Sequence, residues 1–298
     1  MSTSQFSLPA HLHGLVDDAA VFPPGNAPLD EAVRAHAGHR AAPYADLVGL
    51  FVVGDAMLPD LAELASGGLR ISVVVSGGAG AIEPAVRWAT RSDAVELGAL
   101  EIALRDSDTG ELAHNALRIV TAVDQLVAAG ELDDEVPVYV EVPRLRGAEP
   151  SHAWLSALDE IAARDHRLKF RTGGVDADAF PDATELATCI GAALDRELRF
   201  KCTAGLHNAL RHRDPETGFE HHGFLNVLLA TRASLDGSGV AEVAAVLDET
   251  DDATLTGSTD AAGMAGARRW FTSFGSCSVL EPLADLTTLG LVPEQEQA

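Results

Sequence analysis

Short apolar runs alternate with segments of helical periodicity along most of the chain. The runs predict eight strands: His13–Val21, Leu47–Val53, Arg70–Ser76, Ala94–Ala99, Pro137–Val142, Leu168–Thr172, Arg199–Thr203 and Phe271–Cys277. The periodic segments predict six helices between them: Pro28–Arg40, Met57–Ser66, Ala81–Arg91, Ala113–Ala129, Ser151–Arg164 and Asp182–Leu198. Such alternation is typical of a parallel sheet with helical crossovers, and eight strands fit one closed sheet. We therefore predict an α/β fold, a (β/α)8 TIM barrel forming a single domain over residues 1–298.

The connection after the seventh predicted strand is far longer than an ordinary crossover. It contains a His-rich loop, an apolar helix, a second helix and an acidic stretch: His207–His222, Phe224–Leu235, Val240–Leu247 and Asp248–Asp252. Loops that follow the carboxyl ends of barrel strands build the active face. We therefore predict that residues 207–265 form an insertion after the seventh strand and cover that face.

Charge and hydropathy restrict the partners of the protein. The formal net charge of −24 argues against nucleic acid and against anionic membrane surfaces. No apolar run reaches the roughly 18 residues of a membrane span, and the first residues lack the features of a signal peptide. The three cysteines, Cys189, Cys202 and Cys277, show no CxxC spacing, so no disulfide framework or zinc ribbon is indicated. We expect a soluble, cytoplasmic protein.

Only two lysines occur in the chain, and both begin similar motifs. Lys169 opens K-F-R-T-G and Lys201 opens K-C-T-A-G, so each lies four residues before a glycine at the end of a predicted strand. A lysine amine can lose its proton and attack a carbonyl carbon, whereas a guanidinium cannot. Strand alternation places both amines, together with Arg171, on the face that points into the barrel mouth. Since neighbouring strands are about 4.8 Å apart, we expect mutual repulsion and burial to lower the pKa of at least one lysine.

The same alternation identifies acidic candidates for the site. Glu96 and Glu141 are predicted to face inward, where a buried carboxylate needs a partner that the lysines or Arg171 would supply. Acid/base catalysis and a purely structural salt-bridge layer both remain open. Asp17 stands near the end of the first strand, as a polar group of the catalytic face or as a cap.

Small-residue turns follow the last two predicted strands. Gly205 lies in the first turn, before His207 and Asn208, and the second turn contains Gly275 and Ser276. Turns at this place in a barrel commonly hold a phosphate group through backbone N–H groups. The histidines of the loop fit no standard zinc spacing, so we predict neither a metal nor a cofactor.

These motifs resemble the deoxyribose-phosphate aldolase family, a class I aldolase group with a (β/α)8 barrel. The first lysine motif matches the K-T-S-T-G segment that carries the Schiff-base lysine in that family, and the second matches the strand with its second lysine. Asp93–Leu97 resembles the strand with the catalytic aspartate, which places Glu96 on that residue. Phe274–Ser278 resembles the phosphate-binding turn, and Leu15–Pro23 is similar to the opening strand, which carries an aspartate.

The resemblance implies a Schiff-base aldolase or lyase that acts on a small anionic carbonyl compound, phosphorylated or carboxylated. Lys169 would attack the carbonyl carbon, Lys201 would lower the pKa of Lys169, and Glu96 would be the acid/base partner. Arg171 takes the place of a small hydroxyl residue and indicates a second anionic group on the substrate, with His207 and Asn208 as further contacts.

Two other functions remain open at this point. A metal-dependent hydrolase or lyase would use the loop histidines His207, His212 and His221, and a non-catalytic barrel would use the lysines to bind an anionic metabolite. The sequence is compatible with a homodimer.

Overall fold

The computed structural model describes residues 7–65, 67–105, 111–145 and 149–294. Eight parallel strands close into a barrel, and each pairs with its neighbours in chain order until the last returns to the first. These strands are β1 Val16–Asp18, β2 Val48–Gly54, β3 Leu69–Val75, β4 Val95–Ala103, β5 Val138–Glu141, β6 Arg167–Arg171, β7 Phe200–Thr203 and β10 Phe271–Ser276. The predicted TIM barrel, with an insertion after its seventh strand, is confirmed.

Six helices connect the first seven strands and form most of the outer layer. They are α1 Leu29–Ala41, α2 Leu58–Leu64, α3 Ile82–Ala89, α4 Leu112–Ala128, α5 His152–Ala162 and α6 Ala183–Leu194. In α4, for example, Ala116, Ile119, Val120 and Val123 are buried at the spacing of one helix face. Within the described ranges, no helix is long and apolar enough to cross a membrane.

The segment after β7 consists of a short hairpin and four helices. It contains β8 His212–Arg213, β9 Glu220–His221, α7 Phe224–Leu235, α8 Val240–Asp248, α9 Asp252–Gly257 and α10 Ala261–Arg268, and the last helix after β10 is α11 Leu280–Thr288. Helices α7 and α10 pack against β10, and α8 packs against α6. Because α7 is apolar around most of its circumference, it is buried in the outer layer, where it takes the place of the seventh connecting helix.

The prediction that residues 207–265 as a whole cover the active face therefore needs correction. Only the hairpin and the residues beside it lie at the carboxyl ends of the strands, where the Nδ1 atom of His221 in β9 is 3.2 Å from the Gly205 carbonyl oxygen. The helices that follow lie outside the barrel.

A bulge in β4 determines which acidic side chain enters the barrel. Along the β3–β4 pair, Arg70 faces Glu96 and Ser72 faces Ala99, so Gly98 is an additional residue. One extra residue shifts the alternation of side chains by one position. Glu101 therefore points inward beside Ser72, although it is an odd number of residues from Glu96.

Candidate active site

Two buried lysines and one glutamate meet inside the barrel. Lys169 on β6 and Lys201 on β7 are register partners, and Glu101 on β4 contacts both. Its Oε2 atom lies 2.7 Å from the Lys169 Nζ atom, and its Oε1 atom lies 2.7 Å from the Lys201 Nζ atom. The Ser72 hydroxyl donates a hydrogen bond of 2.6 Å to Oε1. One carboxylate therefore binds both ammonium groups.

Further ion pairs extend this bridge on either side. Next to Lys169, Glu141 Oε2 lies 3.0 Å from Nζ, and the Arg171 Nε atom lies 2.8 Å from Glu141 Oε1. Next to Lys201, Asp17 Oδ2 lies 2.6 Å from Nζ. We call this arrangement the ion-pair chain: Arg171, Glu141, Lys169, Glu101, Lys201 and Asp17. Positive and negative groups alternate along it, so their charges balance.

The ion-pair chain begins at the carboxyl-terminal mouth of the barrel and leads inward. Arg171 ends β6, and its side chain is 43% exposed, whereas Glu141 at the end of β5 is 15% exposed. Lys169, Glu101 and Lys201 are almost fully buried. Because barrel enzymes carry out their chemistry at the carboxyl ends of the strands, Lys169 is the amine next to the expected active face.

The prediction that a lysine pKa falls is wrong. Burial lowers the pKa of Lys169, but its ion pairs with Glu101 and Glu141 more than offset this, and the pKa lies above its ordinary value. Burial likewise lowers the pKa of Lys201, and Asp17 and Glu101 raise it well above its ordinary value. The attraction of three carboxylates, Asp17, Glu101 and Glu141, outweighs both burial and the repulsion between the two amines.

The paired groups predict a pH window for stability. Burial raises the pKa values of Glu101 and Glu141, but the neighbouring cations hold both below the ordinary 4.5. The contribution of these two carboxylates to stability is therefore complete above pH 4.5 and is lost as the pH falls through the folded-state values. The pKa values of the two lysines are raised in the folded protein. Their contribution to stability is therefore complete below pH 10.5 and is lost as the pH rises through the folded-state values.

Denaturant unfolding from about pH 3 to about pH 11 tests this window. The stability difference between the wild type and the Glu101→Gln variant should be largest between pH 4.5 and 10.5 and should shrink towards both extremes. A difference that grows below pH 4.5 contradicts the ion-pair assignment.

Asp17 is held in place by the backbone of the next strand as well as by side chains. The Leu50 N–H donates to its Oδ1 atom at 2.8 Å, and the Ser273 hydroxyl donates to Oδ2 at 2.6 Å. The carboxylate lies so close to β2 that a Cβ atom on Gly49 would stand 2.1 Å from Oδ1. A residue without a side chain is therefore required at position 49.

Replacing Gly49 by alanine should displace Asp17 from Lys201 and destabilise the protein by about 2–3 kcal/mol, since overpacking is added to a weakened ion pair. Gly38→Ala is the matched control, because a Cβ atom there meets nothing within 4 Å and lies within α1. The control should be at least as stable as the wild type. Equal urea midpoints for Gly49→Ala and the wild type would rule out this packing argument.

The structure corrects the position of Glu96. Its side chain is 59% exposed at the amino-terminal end of β4, where it pairs with Arg70 at 3.1 Å, and it does not reach the lysines. Glu101, and not Glu96, is the carboxylate of β4 that lies beside the amines. The sequence contains a signal for this difference, because an isolated glycine within a strand, here Gly98, often marks a bulge.

The turn after β7 contacts two carboxylates of α11. His207 Nδ1 lies 2.9 Å from Glu281 Oε2. Asn208 Nδ2 donates to Asp285 Oδ2 at 3.2 Å, and the backbone N–H of the next residue donates to the same oxygen at 2.7 Å. Gly205, with φ of 76°, forms the turn itself. These donors already bind carboxylates, so the turn offers a phosphate group less than the sequence indicated.

The second turn is close to the first, since the Ser276 Oγ atom lies 3.5 Å from His207 Nδ1, but its hydroxyl hydrogen bond stays within the turn. Ser276 is buried, and its hydroxyl donates to the Ser278 carbonyl oxygen at 2.7 Å. Gly275 is the register partner of Asp17 on one side and of Thr203 on the other. The turn thus lies beside the ion-pair chain at the carboxyl-terminal mouth.

The loop histidines do not converge on one point. The rings of His212 and His221 lie 5.1 Å apart between centroids, while His207 pairs with Glu281. Burial lowers the pKa of His222 to about 4. Among the described residues, no three His, Cys, Asp or Glu side chains are placed to share a metal ion. The metal-dependent alternative therefore has no ligand cluster in this part of the protein.

Comparisons with known proteins support the fold. No family model matches the sequence, and neither does any curated protein. Among solved structures, the chain is similar to deoxyribose phosphate aldolase from Aeropyrum pernix, whose structure is described as a unique tetramer. The TM-score is 0.53 at 12% sequence identity, and the alignment covers 96% of this chain and 94% of that one. The chain therefore shares the barrel fold of that aldolase over nearly its whole length.

Proposed function

We propose that the protein is an aldolase-type lyase that forms a Schiff base between Lys169 and a small anionic carbonyl compound. The observation that carries this proposal is the bridge of Glu101 between two buried lysines, one of which adjoins the carboxyl-terminal mouth. Lysines that serve only as anion ligands need free N–H groups directed at the ligand. Here both amines are directed at carboxylates of the protein itself.

The raised pKa of Lys169 is compatible with this chemistry, because its nitrogen carries one positive charge both as the ammonium and as the iminium. The Lys169 ammonium passes a proton to a neighbouring carboxylate, and the free amine adds to the carbonyl carbon. The carbonyl oxygen takes up two protons and leaves as water, while the nitrogen keeps one hydrogen and forms an iminium with one positive charge. Glu101 thus faces the same charge before and after the reaction, and it stabilises the iminium as it stabilised the ammonium.

The remaining groups have complementary roles. The iminium withdraws electrons from the neighbouring C–C bond. When that bond breaks, the β-hydroxyl proton passes to a carboxylate, and an aldehyde and an enamine result. Protonation of the enamine and hydrolysis then release the second product and restore the amine. Glu101 takes the acid/base role predicted for Glu96, Lys201 keeps Glu101 ionised, and Arg171 binds the anionic group of the substrate.

Exchange of α-protons in deuterated water tests the proposal without knowledge of the natural substrate. An iminium acidifies the α C–H bond, so the wild type should remove the α-proton NMR signal of at least one member of a panel of small aldehydes, ketones and keto acids. Lys169→Arg should abolish this exchange. Arg34→Lys, which adds an amine at an exposed position, should leave it unchanged. Exchange at the buffer rate across the panel, or full exchange by Lys169→Arg, would refute the proposal.

The geometry favours a carboxylated over a phosphorylated substrate. The first predicted phosphate turn contacts carboxylates of α11, and the Ser276 hydroxyl of the second donates to a backbone carbonyl oxygen, whereas Arg171 is exposed at the mouth. The described cysteines are free thiols, which fits a reducing compartment, so the cytoplasm is part of the proposal. The similar aldolase is a tetramer, and for this chain we propose a homo-oligomer, for which a homodimer is the simplest form.

A further inference from the structure

A cavity of about 800 Å³ opens at the amino-terminal mouth of the barrel, opposite the proposed active face. Its wall includes residues that precede or begin strands, among them Gly14, Val48, Leu69, Pro137 and Arg167. This size lies within the range of small-molecule pockets. The proposed imine forms towards the opposite mouth of the barrel, so the cavity needs an explanation of its own.

The wall of the cavity is strongly cationic in a protein of net charge −24. Its cationic residues are Arg40, Arg70, Arg167, Arg268 and Lys201, and its carboxylates are Asp17 and Asp46. Asp17 already pairs with Lys201, and Arg70 pairs with Glu96. The charges that remain are those of three arginines and of Asp46, so the wall keeps a net positive charge.

These three arginines bind neutral oxygens. Arg40 donates to the carbonyl oxygens of Ala45 and Val48, and Arg167 donates to the hydroxyl of Tyr139 at 3.0 Å. In the part of the chain that the structure describes, neither forms an ion pair with a carboxylate.

Arg268 is the most enclosed of the three. It donates to backbone carbonyl oxygens, including those of His11, His13 and Phe271, and forms no carboxylate ion pair within the described ranges. Burial lowers its pKa to about 10, and the charge of Asp17 offsets this only in part. A partly buried cation without an anionic partner favours a ligand that supplies the opposite charge.

We propose that the amino-terminal mouth is a binding site for a small polyvalent anion, a phosphorylated compound or a polycarboxylate, which Arg40 and Arg167 contact and the charge of Arg268 attracts. Planar guanidinium groups match both phosphate and carboxylate in geometry. Tyr139 and Lys201 also line the cavity, and the Lys201 Nζ atom lies 5.3 Å from the centroid of the Tyr139 ring. A bound anion would therefore lie next to the inner end of the ion-pair chain.

Calorimetric titration of the full chain with pyrophosphate and with citrate, at constant ionic strength, tests the site. We expect saturable binding of at least one of them, and the preferred anion identifies the chemistry as phosphate or carboxylate. Arg40→Gln and Arg167→Gln should each weaken binding by about tenfold. Arg34→Gln removes an exposed arginine from the same helix as Arg40 and should leave binding unchanged.

Arg171→Gln distinguishes the two mouths of the barrel, because Arg171 belongs to the carboxyl-terminal one. It should leave the affinity of the amino-terminal mouth for the anion unchanged. The proposal is overturned if neither anion binds, if Arg40→Gln and Arg167→Gln bind as tightly as the wild type, or if Arg171→Gln alone abolishes binding. Thermal unfolding of each variant confirms that it is folded before titration. None of these outcomes depends on imine formation, so the result is independent of the proposed lyase activity.

Discussion

The Glu101→Gln variant is expected to be less stable than the wild type by about 3–5 kcal/mol, the usual effect of removing one partner from a buried ion pair. The substitution leaves two buried ammonium groups that share a neutral amide in place of a carboxylate. One amide oxygen can accept from one amine, and the amide N–H group then faces the other. Urea unfolding at neutral pH measures the difference.

Glu96→Gln is the matched control on the same strand. Glu96 forms an exposed pair with Arg70, and pairs of this kind contribute about 1 kcal/mol or less. The two substitutions remove the same charge from β4 and differ only in the environment of the carboxylate. A loss for Glu96→Gln equal to that for Glu101→Gln would mean that Glu101 does not bridge the lysines.

The second large effect is the difference between the two lysines in catalysis. Lys169→Arg retains a cation beside Glu101 and Glu141 but removes the amine, so α-proton exchange should fall on the order of 10⁴-fold or more, as when a nucleophile is lost. Lys201→Arg keeps the counter-ion of Asp17 and Glu101 and leaves the nucleophile in place. Its exchange rate should fall far less.

The buried sites leave little room for a guanidinium, so folding has to be checked separately. Lys169→Met is the smaller replacement, and it should also abolish exchange if the amine is required. Far-UV circular dichroism and unfolding midpoints show which variants are folded. Equal losses of activity in folded Lys169→Arg and Lys201→Arg would contradict the different roles of the two amines.

The alternation of strands with helices was sufficient to predict the fold, and the alternation of side chains along strands was sufficient to predict the meeting of the two lysines. Both inferences depend on local periodicity, and Lys169 and Lys201 are indeed register partners on adjacent strands. The apolar helix Phe224–Leu235 also has the predicted bounds. Its position outside the barrel was not predicted. Composition shows that a helix is buried, but it does not show which elements the helix packs against.

The remaining parts of the site depend on contacts between distant segments. Glu101 enters the barrel only because Gly98 adds one residue to β4, and strict alternation therefore selects Glu96 instead. The direction of the lysine pKa shifts depends on carboxylates from β1, β4 and β5, which no local pattern brings together. The arginines of the amino-terminal mouth likewise come from distant segments, namely α1, β6 and α10.

Reductive trapping tests the central claim most directly. The protein is incubated with each member of a panel of small aldehydes, ketones and keto acids in the presence of borohydride, which reduces an iminium to a stable secondary amine. Peptide mass spectrometry then locates the adduct. The account predicts a single adduct on Lys169, lost in Lys169→Arg and retained in Lys201→Arg. An adduct on Lys201 alone, or none on either lysine across the panel, would contradict it.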